Sequence, residues 1–187
     1  MNTRLVTRLA VVVACAGLFA AAACASTPDT KRYTFIGEAE APLAPSVAEY
    51  RAGPDNYLGK RCSSLDCHGQ IGRPLRIFSK NGLRAFDASP PGGFPYISGR
   101  TGLADEEVLL NYEGVIGLEP EVLSQVYASG GEGLNRLILL RKPLGLERHK
   151  GGQLMNNEAD EGYLCLASWI SGNGLDQISC DNAAKIP

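Results

Sequence analysis

Aromatic side chains are scarce in this chain of 187 residues, at 7% with a single Trp. Set against 22 Gly and 11 Pro, that scarcity argues for short elements joined by a good deal of irregular chain. No block of basic residues occurs and the formal net charge is −2, so the electrostatic footprint of a nucleic-acid partner is missing. There is no Gly-rich phosphate loop, no nucleotide fingerprint and no Ser/His/Asp set, which removes the familiar signatures of phosphoryl-transfer, dinucleotide and serine-hydrolase chemistry. Imidazole is supplied only by His68 and His149, and Met155 is the one methionine beyond the initiator.

What is present begins with an export signal. Arg4 and Arg8 precede an apolar run over residues 9–23 that is too short to span a bilayer comfortably. Cys24 follows Ala21-Ala22-Ala23, which resembles the lipobox of bacterial lipoproteins, where the Cys becomes the acylated first residue. Cys15, after Val12-Val13-Ala14, fits the local pattern better but leaves too short a hydrophobic region, and ordinary cleavage after Ala23-Cys24-Ala25 stays open. The expected organisation is a signal peptide over 1–23, a flexible tether over 24–45 rich in Ser, Thr, Pro and charge, and a folded domain over 46–187. The expected location is the periplasm, with the membrane reached through a lipid on Cys24. Within the tether, Tyr33-Thr34-Phe35-Ile36 has the composition of a short edge strand. Once Cys24 is lipidated, Cys62, Cys67, Cys165 and Cys180 remain, an even set in an oxidising compartment.

The most informative stretch is Arg61-Cys62-Ser63-Ser64-Leu65-Asp66-Cys67-His68-Gly69. A His directly after a Cys, with a second Cys shortly before, is the arrangement that attaches a haem through two thioethers and ligates its iron with the imidazole. The usual spacing leaves two residues between the cysteines. Here there are four, and on a regular helix a separation of five positions is about 500° of rotation, so the two sulfurs diverge unless the segment loops out. Two other readings use the same residues. The cysteines could form a disulfide, or hold zinc together with His68 and His149. Adjacency of Cys67 and His68 counts against zinc, whose paired ligands normally need residues between them to converge on one ion.

Elements can be placed around this motif. Ser46-Val47-Ala48-Glu49 has the form of a capping box, so a helix should start there. Gly53-Pro54 interrupts it, and Asp55 can cap a second helix running through Tyr57 and Leu58 into Cys62. Residues 72–102 form a long irregular passage with Pro74, Pro90, Pro91 and Pro95; wrapping around a bound group would explain its length. Residues 103–112 read as a helix capped by Thr101, with Asp105, Glu106 and Glu107 as its solvated start and Val108, Leu109 and Tyr112 as a core stripe. Pro120 opens another, with Val122, Leu123, Val126 and Tyr127 at helical spacing. Residues 134–140 are apolar enough to be buried in either conformation, and Pro143 ends them. A flexible loop over 146–155 carries His149 and Met155. The final helix should be capped by Asn157, with Asp160 as the capping-box partner, Tyr163, Leu166, Ala167 and Ile170 on one face, and Gly172 at its end.

Taken together, the helix before Cys62, the Cys67-His68-Gly69 triplet, Leu139-Leu140-Arg141-Lys142-Pro143, His149-Lys150-Gly151-Gly152 and Tyr163…Trp169-Ile170…Gly172 resemble a family of bacterial exported c-type cytochrome-like domains. The resemblance covers about residues 46–174. It implies a mainly α, cytochrome c-like fold of short helices and long irregular loops around one covalent haem c, with the first and last helices crossing and the haem between them. It makes Cys62 and Cys67 the thioether positions, His68 the proximal ligand, and His149, with Met155 as the alternative, the sixth ligand. A thioether sulfur there would raise the reduction potential relative to imidazole. If Cys62 and Cys67 carry haem, Cys165 and Cys180 are left to pair; without haem, other pairings are open.

Two functions follow. One is electron transfer by a six-coordinate haem to an unknown redox partner protein, with no enzymatic turnover required. If neither His149 nor Met155 reaches the iron, the open position could bind a small ligand or turn over peroxide. The alternative is a haem-free lipoprotein held by two disulfides and acting as a binding or structural module.

Overall fold

The computed structural model describes residues 42–87, 94–95 and 102–185. The signal segment, Cys24, most of the tether with Tyr33–Ile36, and Thr101, Pro90 and Pro91 of the sequence reading lie outside the described residues. The described chain is mainly helical. Its elements are α1 (Val47–Ala52), α2 (Pro54–Arg61), β1 (Phe86–Asp87), β2 (Phe94–Pro95), α3 (Asp105–Ile116), α4 (Pro120–Ala128), a 3-10 turn (Leu134–Arg136), α5 (Ile138–Arg141), α6 (Glu161–Ser171) and α7 (Gln177–Ala183). β1 and β2 pair antiparallel, Phe86 opposite Pro95 and Asp87 opposite Phe94.

Each helix starts where local chemistry allows. The Ser46 hydroxyl accepts from the Glu49 amide and caps α1. The chain turns at Gly53, and Pro54 then opens α2, where its missing N–H costs nothing. Asp55 is therefore not the cap: its carboxylate accepts a hydrogen bond from Asn111 Nδ2 at 2.9 Å. Pro120 opens α4 in the same manner. α6 is capped by Asp160, whose carboxylate accepts from the Gly162 amide at 2.9 Å, while Asn157 makes a separate turn by accepting from the Ala159 amide at 2.8 Å. The cap thus falls three residues later than the Asn157 signal suggested, because Asn157 spends its oxygen on that turn. Gly172 ends α6 at φ 67°, a left-handed conformation that a side chain would resist.

α6 organises the core. It packs against α7, α4 and α2, and α2 also meets α7 and α3. Leu166, Trp169 and Ile170 are fully buried with Tyr50, Val126, Leu140 and Ile77. The Trp169 ring lies 5.2 Å from Tyr50, centroid to centroid, and its indole N–H donates to the Ser46 carbonyl at 2.9 Å. Gly162 is where α2 comes closest: a β-carbon there would collide with the Tyr57 phenol. α2 and α6 therefore meet directly. At Gly162 the two helices leave no space between them.

Cys165 and Cys180 are disulfide-bonded, with Cα atoms 4.6 Å apart. The bond joins α6 to α7, a helix beyond Gly172 where the sequence placed no element. Gly53, at the α1–α2 junction, sits on it so closely that a β-carbon would touch the Cys180 sulfur. α3 also departs from expectation. It runs four residues further, Leu109 is 45% exposed, and Val115 joins Val108 in the core instead.

Candidate functional site

α2 ends at Arg61, and the Cys62 amide donates to the Leu58 carbonyl at 2.9 Å as the helix cap. The four residues between the cysteines then loop out. The Cys67 and Gly69 amides both donate to the Ser64 carbonyl at 2.9 Å, and the His68 amide returns to the Cys62 carbonyl at 3.0 Å. Gly69 permits the closure, since a β-carbon there would strike the Ser63 carbonyl. Arg73 clamps the outer side, its Nε donating to the Cys67 carbonyl at 3.1 Å and Nη2 to the Asp66 carbonyl at 3.2 Å. The Ile77 amide donates to the His68 carbonyl at 2.9 Å. The position of His68 is thus set by backbone hydrogen bonds on both sides.

His149 is held in the same way by a different loop. The Leu154 and Met155 amides both donate to the Pro143 carbonyl, at 2.8 and 3.0 Å, which closes the segment at its base. Within it the Gly152 amide donates to the His149 carbonyl at 3.0 Å, with Gly152 at φ 78°. Gly151 lies beside the ring: a β-carbon there would stand 3.4 Å from Cε1. Glu147 ties the loop to α5 through Arg141 at 3.0 Å and Lys142 at 3.6 Å.

These two loops bring the two histidines together. Their ring centroids are 6.2 Å apart and the rings are within 23° of parallel. His68 Nδ1 is 3.0 Å from the Leu75 carbonyl and His149 Nδ1 is 2.9 Å from the Gly152 carbonyl. A carbonyl only accepts, so each Nδ1 is the protonated nitrogen and each neutral ring keeps its Nε2 lone pair for a ligand. That is the arrangement by which a backbone carbonyl fixes a metal-ligating imidazole. Two metal–nitrogen bonds of about 2 Å each, plus the ring on either side, require a centroid separation on the order of 6 Å. The observed separation of 6.2 Å is of that size. Leu65, Ile71 and Leu146, each three positions from one of the histidines, are 61%, 74% and 66% exposed.

The remaining predicted residues divide. Cys62 and Cys67 are free thiols, so the disulfide reading of this pair is not what the chain adopts. Cys62 is buried in the core, and burial, opposed by Arg61 and helped by Cys67, pushes its thiol up to about 12. Cys67 is half-buried. Among the described residues no three His, Cys, Asp or Glu side chains converge as a metal set, which removes the four-ligand zinc arrangement. Met155 is 1% exposed within the apolar core, the place of a gap-filling side chain. A cleft of ≈ 560 Å³ opens beside Lys60, Ser63, Ser79 and Lys80, but none of Cys62, Cys67, His68 and His149 lines it.

A polar cluster escaped the sequence reading. Glu107, taken as part of a solvated helix start, is fully buried. Arg84 grips both its oxygens, Nε to Oε1 at 2.9 Å and Nη2 to Oε2 at 2.7 Å, and the Ala85 and Ala104 amides complete the shell at 2.8 and 3.0 Å. Burial alone would raise this carboxyl; the Arg84 fork and the two amides outweigh it and hold the pKa below the usual value. Asn111, one helical turn on, is also fully buried and pins both backbone groups of Phe78, at 2.7 and 2.9 Å. Their shared helix face was the available signal, since a Glu and an Asn at i and i+4 interrupt the apolar stripe.

No protein family, curated protein or solved structure matches this chain.

Proposed function

We propose that this protein is an exported mono-haem c-type cytochrome that transfers electrons, with His68 and His149 as the axial ligands. The observation that carries this reading is the approach of the two histidines across 6.2 Å, each with Nδ1 on a backbone carbonyl. Haem supplies a one-electron ferric/ferrous couple. His68, immobilised between the Cys62 carbonyl and the Ile77 amide, presents Nε2 from the motif loop. His149 presents Nε2 from the 143–155 loop, whose glycines let the backbone lie close to a bulky group. With His68 and His149 both holding the haem, no seat for a substrate would remain, and electron transfer needs none. Leu65, Ile71 and Leu146 would lose water on covering the ring system. Cys24 would fix the protein to a membrane by its lipid, with the redox partner a second protein.

Expression with an export signal in a host that attaches haem c tests the reading. The expected product is coloured, shows a low-spin visible spectrum, and keeps its haem through denaturation. A folded but colourless protein overturns it and leaves the haem-free module, now with the Cys165–Cys180 bond as the disulfide shown.

A further inference from the structure

The two cysteines of the motif are not equivalent. Cys62 caps α2, lies in the core cluster with Tyr57 and Leu58, and is 9% exposed. Tyr50 and Tyr57, 0% and 2% exposed, lie within electrostatic reach of its sulfur. Its backbone is held at both ends of the residue: the amide donates to Leu58 and the carbonyl accepts from His68. To meet a group bound at the paired histidines, its sulfur would have to leave the core and empty a packed position. The Cys67 backbone is held too, its amide on the Ser64 carbonyl and its carbonyl by Arg73, but its side chain is not part of the core cluster. It is half-buried, directly precedes His68, and shares with it the short hairpin that Arg73 clamps from outside. Whatever position His68 takes under a haem, the Cys67 sulfur travels with it.

From this we infer that haem is attached through a single thioether, at Cys67, and that Cys62 remains a buried thiol that packs the core. The inference rests on the haem reading above. The step is an addition: the Cys67 S–H adds across one haem vinyl group, a C–S bond forms at the carbon nearest the ring, and the thiol proton ends on the terminal carbon. No oxidant or reductant is consumed, and the second vinyl group stays intact. The raised pKa of Cys62 agrees, since the thiolate is the more reactive form and burial withholds it.

The test uses the full-length, haem-loaded protein. After unfolding and alkylation with iodoacetamide, the tryptic peptide over residues 62–76 is sequenced by tandem mass spectrometry. The expected peptide carries haem on Cys67 and the alkyl group on Cys62. The pyridine haemochrome should show the band position of a haem with one remaining vinyl group. Cys62→Ala should keep covalent haem at the wild-type stoichiometry, whereas Cys67→Ala should release all of it on denaturation. Haem on both cysteines, or on Cys62 alone, overturns the single attachment while leaving the cytochrome reading standing. A folded chain with no haem overturns both. Because the wild-type peptide alone decides, an unstable variant does not blunt the result.

Discussion

The α2–α6 crossing and the paired-histidine site are built on different physics. At the crossing, Tyr50, Tyr57 and Trp169 are buried, Gly162 lets the helices touch, and a disulfide backs the junction at Gly53. At the site, two loops stand on backbone hydrogen bonds and the histidines are half-buried. One region depends on apolar area removed from water; the other depends on amides and carbonyls finding each other. Damage should therefore separate: changes at the crossing should cost stability, and changes at the site should cost little, their effect falling on the proposed haem ligation instead.

The largest effect is expected from Trp169→Ala, which removes a fully buried indole and its bond to Ser46; urea unfolding should register about 3–5 kcal/mol. Arg84→Ala should cost about 3 kcal/mol, because Glu107 is left charged in a buried shell. The folded Glu107 pKa is depressed, so the contribution of the pair is complete above the unfolded value of about 4.3 and lost as the pH falls through the folded one. Stability against pH should accordingly fall less steeply in acid for Glu107→Gln than for the wild type. Reducing Cys165–Cys180 should lower stability by about 3 kcal/mol on the loop-entropy argument, read as a shift in the urea midpoint. His149→Ala sits at the small end, within about 0.5 kcal/mol for the haem-free chain. In the loaded protein the same change should convert a low-spin spectrum to high-spin. A His149→Ala chain that loses stability on the scale of Trp169→Ala would show the two regions to be one cooperative unit and break the contrast.

Much of the local structure was legible. The Ser46 cap, Pro54 and Pro120 at helix starts, and Gly172 at a helix end are signals carried by a residue and its near neighbours. The Cys165–Cys180 bond was foreseen only on condition that the other cysteines were otherwise engaged. Asp55 and Asn157 misled because a short polar side chain that can cap a helix can also serve a turn or a distant amide, and its neighbours do not say which. Glu107 misled for a related reason: acidic residues at a helix start are normally solvated, and the guanidinium that changes this comes from Arg84, inside the long irregular passage.

By itself the chain determined the motif, most of the helical segments with the Ser46, Pro54, Pro120 and Gly172 signals at their ends, and the identity of the two imidazoles available as ligands. These depend on spacing and residue type over a few positions. Only tertiary structure decided that the motif loop and the 143–155 loop face each other, that Met155 faces the core, and that Cys62 turns inward while Cys67 does not. The choice of face for a side chain at the end of a helix is made by what packs against that helix, and α6 arrives from the other end of the chain.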